Sequence, residues 1–280
     1  MNIDLNIQAP DFENYNSNSL YQFIEFGKFC LNAAVFNPQQ NVFIALKKIV
    51  FNEEITQLQI NTLTEALPEI ENMFAKRILL FQQRKFTLLP EEFYENDIEK
   101  KVLGLNYKLR DDENCYKDYI DKLNAYLLSA ISKKTENLIE LVHYDALFNS
   151  VKPYLKSIYK IKPDSFNKSI FLQINDDFII LIVRDNNGGF QLINSFATKG
   201  DEDIFYHLMN VVKQTGCNPD KDSLYISGNY EKKSTLFQLV FKYIRYPFTQ
   251  KMPENIGLHP VFENFFTHPY HNLFSTALCV

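Results

Sequence analysis

One displacement organises this chain: residues 20–81 and the residues 148 positions further on carry the same series of strand, strand, strand, helix, strand. In the first copy, Leu20 to Phe26, Phe29 to Phe36 and Val42 to Phe51 are short runs rich in β-branched and aromatic residues. They are broken at Gly27 and at Asn37-Pro38, the punctuation expected between strands. A helix is predicted from Glu53 to about Leu67, where Ile55, Leu58, Leu63 and Leu67 approach helical spacing before Pro68. Ala75 to Phe81 returns to a strand. In the second copy, Ile170 to Ile174, Phe178 to Arg184 and Phe190 to Ala197 are followed by a helix from Asp201 to Thr215, with Asp201 expected as its N-cap. Ser223 to Ser227 then falls on Ala75 to Leu79. The offset runs without a gap, yet it places Gly27 on Asn175 and Phe36 on Arg184, so the repeat lies in pattern and not in side-chain identity.

A chain that repeats this series predicts an α/β protein of two lobes, each a mixed five-stranded sheet in the order βββαβαβ with flanking helices. Between the copies, Pro90 to Tyr107 reads as helical, Asn124 to Ile131 as a strand, and Lys133 to Leu155 as one or two helices completing the first lobe. The Lys, Pro, Asp, Ser and Asn residues of 159–168 read as a linker. The expected lobes are therefore 1–160 and 161–280. With 46% hydrophobic residues, including 25 Phe and 16 Tyr, the chain has enough apolar surface for two cores.

Charge and cysteine usage exclude several classes of function. The net charge is -5, and the lysine pairs at 47–48, 100–101, 133–134 and 232–233 are scattered, whereas a nucleic-acid groove needs clustered cations. No cationic segment followed by an apolar one opens the chain, and the longest apolar run, Phe178 to Val183, is too short to span a bilayer. The expected location is the cytoplasm. Cys30, Cys115, Cys217 and Cys279 lack the spacing of a zinc ribbon or a disulfide framework.

A duplicated three-strand meander followed by helix and strand resembles the actin, sugar kinase and chaperone ATPase architecture, the actin-like form of the RNase H-like fold. Phe86-Thr87-Leu88-Leu89-Pro90 followed by Glu92-Phe93-Tyr94 is similar to a bacterial domain family of unknown function with this fold, related to pilus-assembly and secretion scaffold proteins. The resemblance implies that the first hairpin turn of each lobe faces nucleotide phosphates through an Asp-x-Gly type loop, and that a glycine turn after a later strand packs on adenosine. Here Glu25-Phe26-Gly27-Lys28-Phe29 stands at the first turn, and Gln173, Ile174 and Asn175 stand at the second, without acid or glycine. Asp176 and Asp177 follow, and two carboxylates facing a polyphosphate repel it unless cations intervene. Gly228-Asn229 stands at the adenosine turn. Turn geometry offers a ligand-free account of the same residues, with Gly27 and Asn175 serving hairpin positions of positive φ.

Elsewhere, His268 and His271 are the only closely spaced imidazoles, and Pro269 between them with no nearby Cys or Asp argues against a metal pair. His143, His207 and His259 stand alone. Arg110 to Asn114 is acidic but lacks the spacing and central glycine of a calcium loop. No phosphate-binding Gly-Lys-Ser/Thr loop, zinc helix or dinucleotide fingerprint occurs. The aromatic tail from Pro260 to Phe274 is expected to pack back onto the second lobe, or, if exposed, to dock another protein. The expectation is a scaffold or interaction protein with no catalytic residue, metal or cofactor and with another protein as partner. The alternative is a divergent ATP-binding protein or weak ATPase using Glu25, Lys28 and Asp177 with Mg²⁺; a third possibility is another small ligand held between the lobes.

Overall fold

A computed structural model describes residues 2–55, 73–164, 167–231 and 233–280. Along the chain the strands are β1 (Asn2–Gln8), β2 (Tyr21–Phe26), β3 (Cys30–Asn37), β4 (Val42–Val50), β5 (Lys76–Phe81), β6 (Phe86–Pro90), β7 (Glu113–Ile120), β8 (Ala125–Ser132), β9 (Ala146–Asn149), β10 (Ser169–Ile174), β11 (Phe178–Arg184), β12 (Phe190–Ala197), β13 (Ser223–Gly228), β14 (Tyr246–Thr249) and β15 (Gly257–Leu258). The helices are α1 (Glu99–Asn106), α2 (Lys133–Ile139), α3 (Val151–Lys160), α4 (Asp201–Gln214), α5 (Thr235–Tyr243) and α6 (His271–Ser275).

Two mixed sheets share a five-strand core. The first runs β1-β4-β3-β2-β5-β9 with β15 also beside β4, seven strands where five were expected, and the second runs β12-β11-β10-β13-β14. In each, a three-strand antiparallel meander is followed by two strands parallel to its first strand. The strand order is the duplicated α/β arrangement anticipated from the repeat. Every residue of β10 and β11 is buried, as expected for central strands covered on both faces, which is why they read as unbroken apolar runs.

The repeat is finer and less perfect than a gap-free offset. The register bulge between Val35 and Phe36 in the first meander recurs at Val183 and Arg184 in the second. There Phe36 pairs with Phe43 while Arg184 pairs with Phe190, so the second turn is one residue shorter. Past that turn the two copies are one residue out of step: Tyr21 lies beside Lys76, and Ser169 lies beside Ser223, not beside the next residue.

Other expectations change too. Only 99–106 of the expected Pro90 to Tyr107 helix is α-helical, because β6 extends to Pro90. The 133–155 stretch holds two helices with β9 between them. Asp201 is the first helical residue and not the N-cap; its carboxylate instead accepts from the Leu236 backbone N–H, joining α4 to α5. Most of the helix expected from Glu53 to Leu67 lies outside the described residues. A third sheet, β6-β8-β7, is inserted between β5 and β9 and forms one wall of the cleft described below.

The aromatic tail packs on the first sheet, contrary to the expectation that it would return to the second lobe. Phe262, Tyr270, Leu273 and Phe274 join Phe23, Phe36, Phe43 and Leu80 in one buried cluster. The cause is an exchange of covering helices. After β9, α3 crosses to the second sheet, where Tyr154, Leu155 and Ile158 meet Phe171, Ile180 and Ile182. After β14 the tail makes the reciprocal crossing, and α6 covers the sheet that α3 left open. Burying that many aromatic rings stabilises the joint by roughly 2 kcal/mol per ring.

Candidate functional site

The two hairpin turns that follow β2 and β10 meet across a cleft of about 790 Å³ between the lobes. In each turn the residue before the loop donates its N–H to the carbonyl three positions on: Gly27 to Cys30 at 2.9 Å, and Asn175 to Phe178 at 3.0 Å. No residue of either turn has a positive φ, so the left-handed geometry expected of Gly27 and Asn175 is corrected. Gly27 is needed for a different reason. A Cβ there would lie 3.0 Å from the Cys30 sulfur and 3.2 Å from its carbonyl oxygen.

Because the turns face each other, their side chains meet directly. Lys28 Nζ bonds Asp177 Oδ2 at 2.7 Å, and the Phe29 backbone N–H donates to Asp176 Oδ2 at 3.4 Å. The Asp177 carboxylate holds the Lys28 ammonium above its usual range, and burial pushes the Asp176 carboxyl up against the pull of the Phe29 N–H. Carboxylate oxygens of the second turn thus take the amide donor and the ammonium that the first turn presents.

The other predicted residues are distributed around this contact. Glu25 sits one strand position behind the turn, 2% exposed, where Asn32 Nδ2 donates to it at 3.3 Å. Burial pushes its carboxyl up to about 7 although Gln82 and Asn32 pull the other way. Asn175, Asp176 and Asn229 line a separate small cavity of about 40 Å³ with Asn32, Gln82 and Gln173, room for a water or two. Gly228 has φ +93°, and a Cβ there would overlap the backbone of Ile174, to whose carbonyl Asn229 donates at 3.0 Å. That glycine lets the chain cross β10 closely. Over it, the His268 ring contacts the Gly228 carbonyl through Nδ1 at 3.1 Å and stacks on Tyr230 at 4.2 Å between centroids.

The cleft's remaining wall was not foreseen. Arg84, Lys85, Tyr107, Lys108, Arg110 and Glu113 reach it from the inserted third sheet and its flanks, and Lys134 comes from α2. Lys85 and Glu113 form a buried pair at 2.7 Å, which holds the Glu113 carboxyl low. Tyr107 Oη meets Ser195 Oγ at 3.2 Å, and Ser195 Oγ donates to the Arg84 carbonyl at 2.6 Å, so the floor is also bridged between lobes. The Lys133-Lys134 pair and the charged run Arg110 to Asn114 were the sequence signals of this wall. Arg110 to Asn114 is no calcium loop: Glu113 is already committed to Lys85.

His268 and His271 do not converge. His271 Nε2 meets Ser157 Oγ at 2.9 Å and Gln250 Nε2 at 3.1 Å, in a core that pushes its imidazole down to about 3. Among the described residues no group of three or more His, Cys, Asp or Glu could hold a metal ion, and no helix is long and apolar enough to cross a membrane.

A family model described as protein of unknown function, DUF3822, matches residues 9–246. No curated protein matches the chain. Among solved structures, a Bacteroides thetaiotaomicron protein described as having an actin-like ATPase fold and unknown function is 19% identical, with a TM-score of 0.72 over 88% of this chain and 95% of its own. The PilM–PilN type IV pilus biogenesis complex gives 11% identity and a TM-score of 0.57, over 93% of this chain and 96% of the other.

Proposed function

The chain belongs to the DUF3822 family of proteins of unknown function, and we propose that it is a non-catalytic actin-like scaffold that binds another protein and no longer holds a nucleotide between its lobes. The observation that carries this reading is the mutual engagement of the two turns, with Lys28 on Asp177 and the Phe29 N–H on Asp176. A phosphate entering there meets two carboxylates. At 4 Å each like charge costs about 4 kcal/mol at an effective dielectric near 20, and within the two turns themselves Lys28 is the one cation that offsets it. The shared strand order and the recurring bulge support descent of both lobes from one duplicated unit. A bacterial cytoplasmic setting, and a boundary between lobes near residue 160, belong to the same reading.

A partner-binding role asks for no catalytic group, and one neighbour in fold is described in complex with its partner PilN. The test is direct: protein purified from its host and then denatured releases no stoichiometric ATP or ADP, measured by ion-pair chromatography. A second reading, a divergent nucleotide-binding protein, draws on the size of the cleft and on the Lys28, Arg84, Lys108 and Lys134 side chains that line it. Bound nucleotide released in a one-to-one ratio would favour it.

A further inference from the structure

The second lobe carries a surface that the cleft does not use. Residues 233–252 hold Lys233, Lys242, Arg245 and Lys251 and no acidic residue, in a chain whose net charge is -5. This stretch forms α5 and the edge strand β14. The inner side of α5 is spent on the core, where Leu236, Phe237 and Val240 are buried. Its last turn and β14 then leave Phe241 61%, Tyr243 48%, Tyr246 41% and Phe248 46% exposed. Phe237, Phe241, Pro247, Phe248, Ile226 and Thr249 line a groove of about 340 Å³ between helix and strand. Exposed rings grouped around a concavity mark interaction sites more often than scattered apolar residues do.

We propose that this groove docks an acidic segment of a partner protein, anchored by a large aromatic or aliphatic side chain, with Lys242 and Arg245 meeting the segment's carboxylates. The proposal rests on the scaffold reading and names the face on which the partner binds. Charge selects the partner: Lys242 and Arg245, which lie over the exposed Tyr243 and Tyr246 rings at 5.2 and 5.6 Å, favour an anionic segment and repel a basic one. Shape favours protein over lipid, because a flat headgroup surface leaves a groove unfilled whereas a side chain fills it. Strand addition is the weaker mode. Gln250 N–H turns inward to the Ile226 carbonyl at 2.8 Å, so alternation directs Pro247 outward, and proline has no N–H to offer an added strand.

The probe is a short fluorescein-labelled peptide of glutamates with two tryptophans, read by anisotropy against the full chain. Its controls replace every glutamate by glutamine or both tryptophans by serine. The expected result is binding at least about tenfold tighter than either control, weakening with salt, and weakened about tenfold by Lys242→Glu with Arg245→Glu and by Phe241→Ser with Phe248→Ser. These side chains are exposed, so the variants should keep the parent's unfolding temperature. Equal binding of the three peptides, or binding untouched by both double variants, overturns the proposal. So does preference for equimolar phosphatidylcholine–phosphatidylglycerol vesicles that the peptide does not compete away, or self-association lost in the same variants. Failure here leaves the nucleotide measurements untouched, so the two readings fail separately.

Discussion

The two lobes share a backbone plan and differ in what they put at its equivalent points. At the first hairpin, lobe one places Glu25 and Gly27, and lobe two places Gln173 and Asn175. At the end of the fourth common strand the assignment reverses: Phe26 lies beside Phe81 in lobe one, whereas Ile174 lies beside Gly228 in lobe two. Phe81 is buried in the first core, and Gly228 lets the chain pass over β10. The lesson is that the strands of the two lobes share a pattern of burial while the loops at the cleft differ in residue type. The two turns contact each other across the cleft through Lys28 on Asp177 and the Phe29 N–H on Asp176.

The sharpest way to break this comparison is at the glycines. Gly228→Ala meets both a positive φ and the Ile174 backbone, so it should cost at least about 3 kcal/mol or prevent folding. Gly27→Ala presses only on Cys30 at ordinary φ and should cost about 1 kcal/mol. Chemical denaturation of the two variants measures the difference; equal losses would show that the two positions are not used differently.

Next in size is the buried pair in the inserted sheet. Lys85→Met leaves the Glu113 carboxylate with only the Arg110 backbone N–H and guanidinium and should cost about 2 kcal/mol in the same measurement. The exposed Lys28–Asp177 pair across the lobes should cost under about 1 kcal/mol in Lys28→Met. The crossed helices α3 and α6 bury large apolar clusters between the lobes, whereas this ion pair is exposed.

Glu25 against Gln173 gives a pH-dependent contrast. Burial raises the Glu25 carboxyl from 4.5 to about 7, so the folded chain keeps a proton that the unfolded chain releases. Its contribution is complete below pH 4.5 and is lost as pH rises towards 7, by about 1 kcal/mol per unit. His271, pushed down to about 3, slopes the other way below 6.5 and partly masks the effect. Glu25→Gln, which copies lobe two, should remove the Glu25 slope, so the variant gains on the parent as pH rises from 4.5 to 7 in urea midpoints. A constant difference would place the Glu25 carboxylate in a hydrated site.

The central strands were readable because residues buried on both faces leave unbroken apolar runs, as in Phe178 to Val183. The strands β1 and β7 were not, since Asn2–Gln8 is largely exposed, Glu113–Ile120 is only partly buried, and their polar residues mimic loops. The tail's aromatic content foretold burial but not the sheet it covers, since apolar density carries no address. Both turns of the site stood out in the sequence because they break strands. The wall of Arg84, Tyr107 and Lys108 did not, because it is assembled from an insertion whose side chains meet the cleft only after the third sheet folds.

Thermal unfolding of the chain with and without excess Mg²⁺ and ATP tests the proposed loss of nucleotide binding most directly. Ligand at a hundredfold its Kd would stabilise the folded state by about 2.7 kcal/mol, a rise of several degrees. Mutually engaged turns predict an unchanged midpoint. A saturable rise that weakens when Asp177 is retained but Lys28 is changed to Ala would contradict the account.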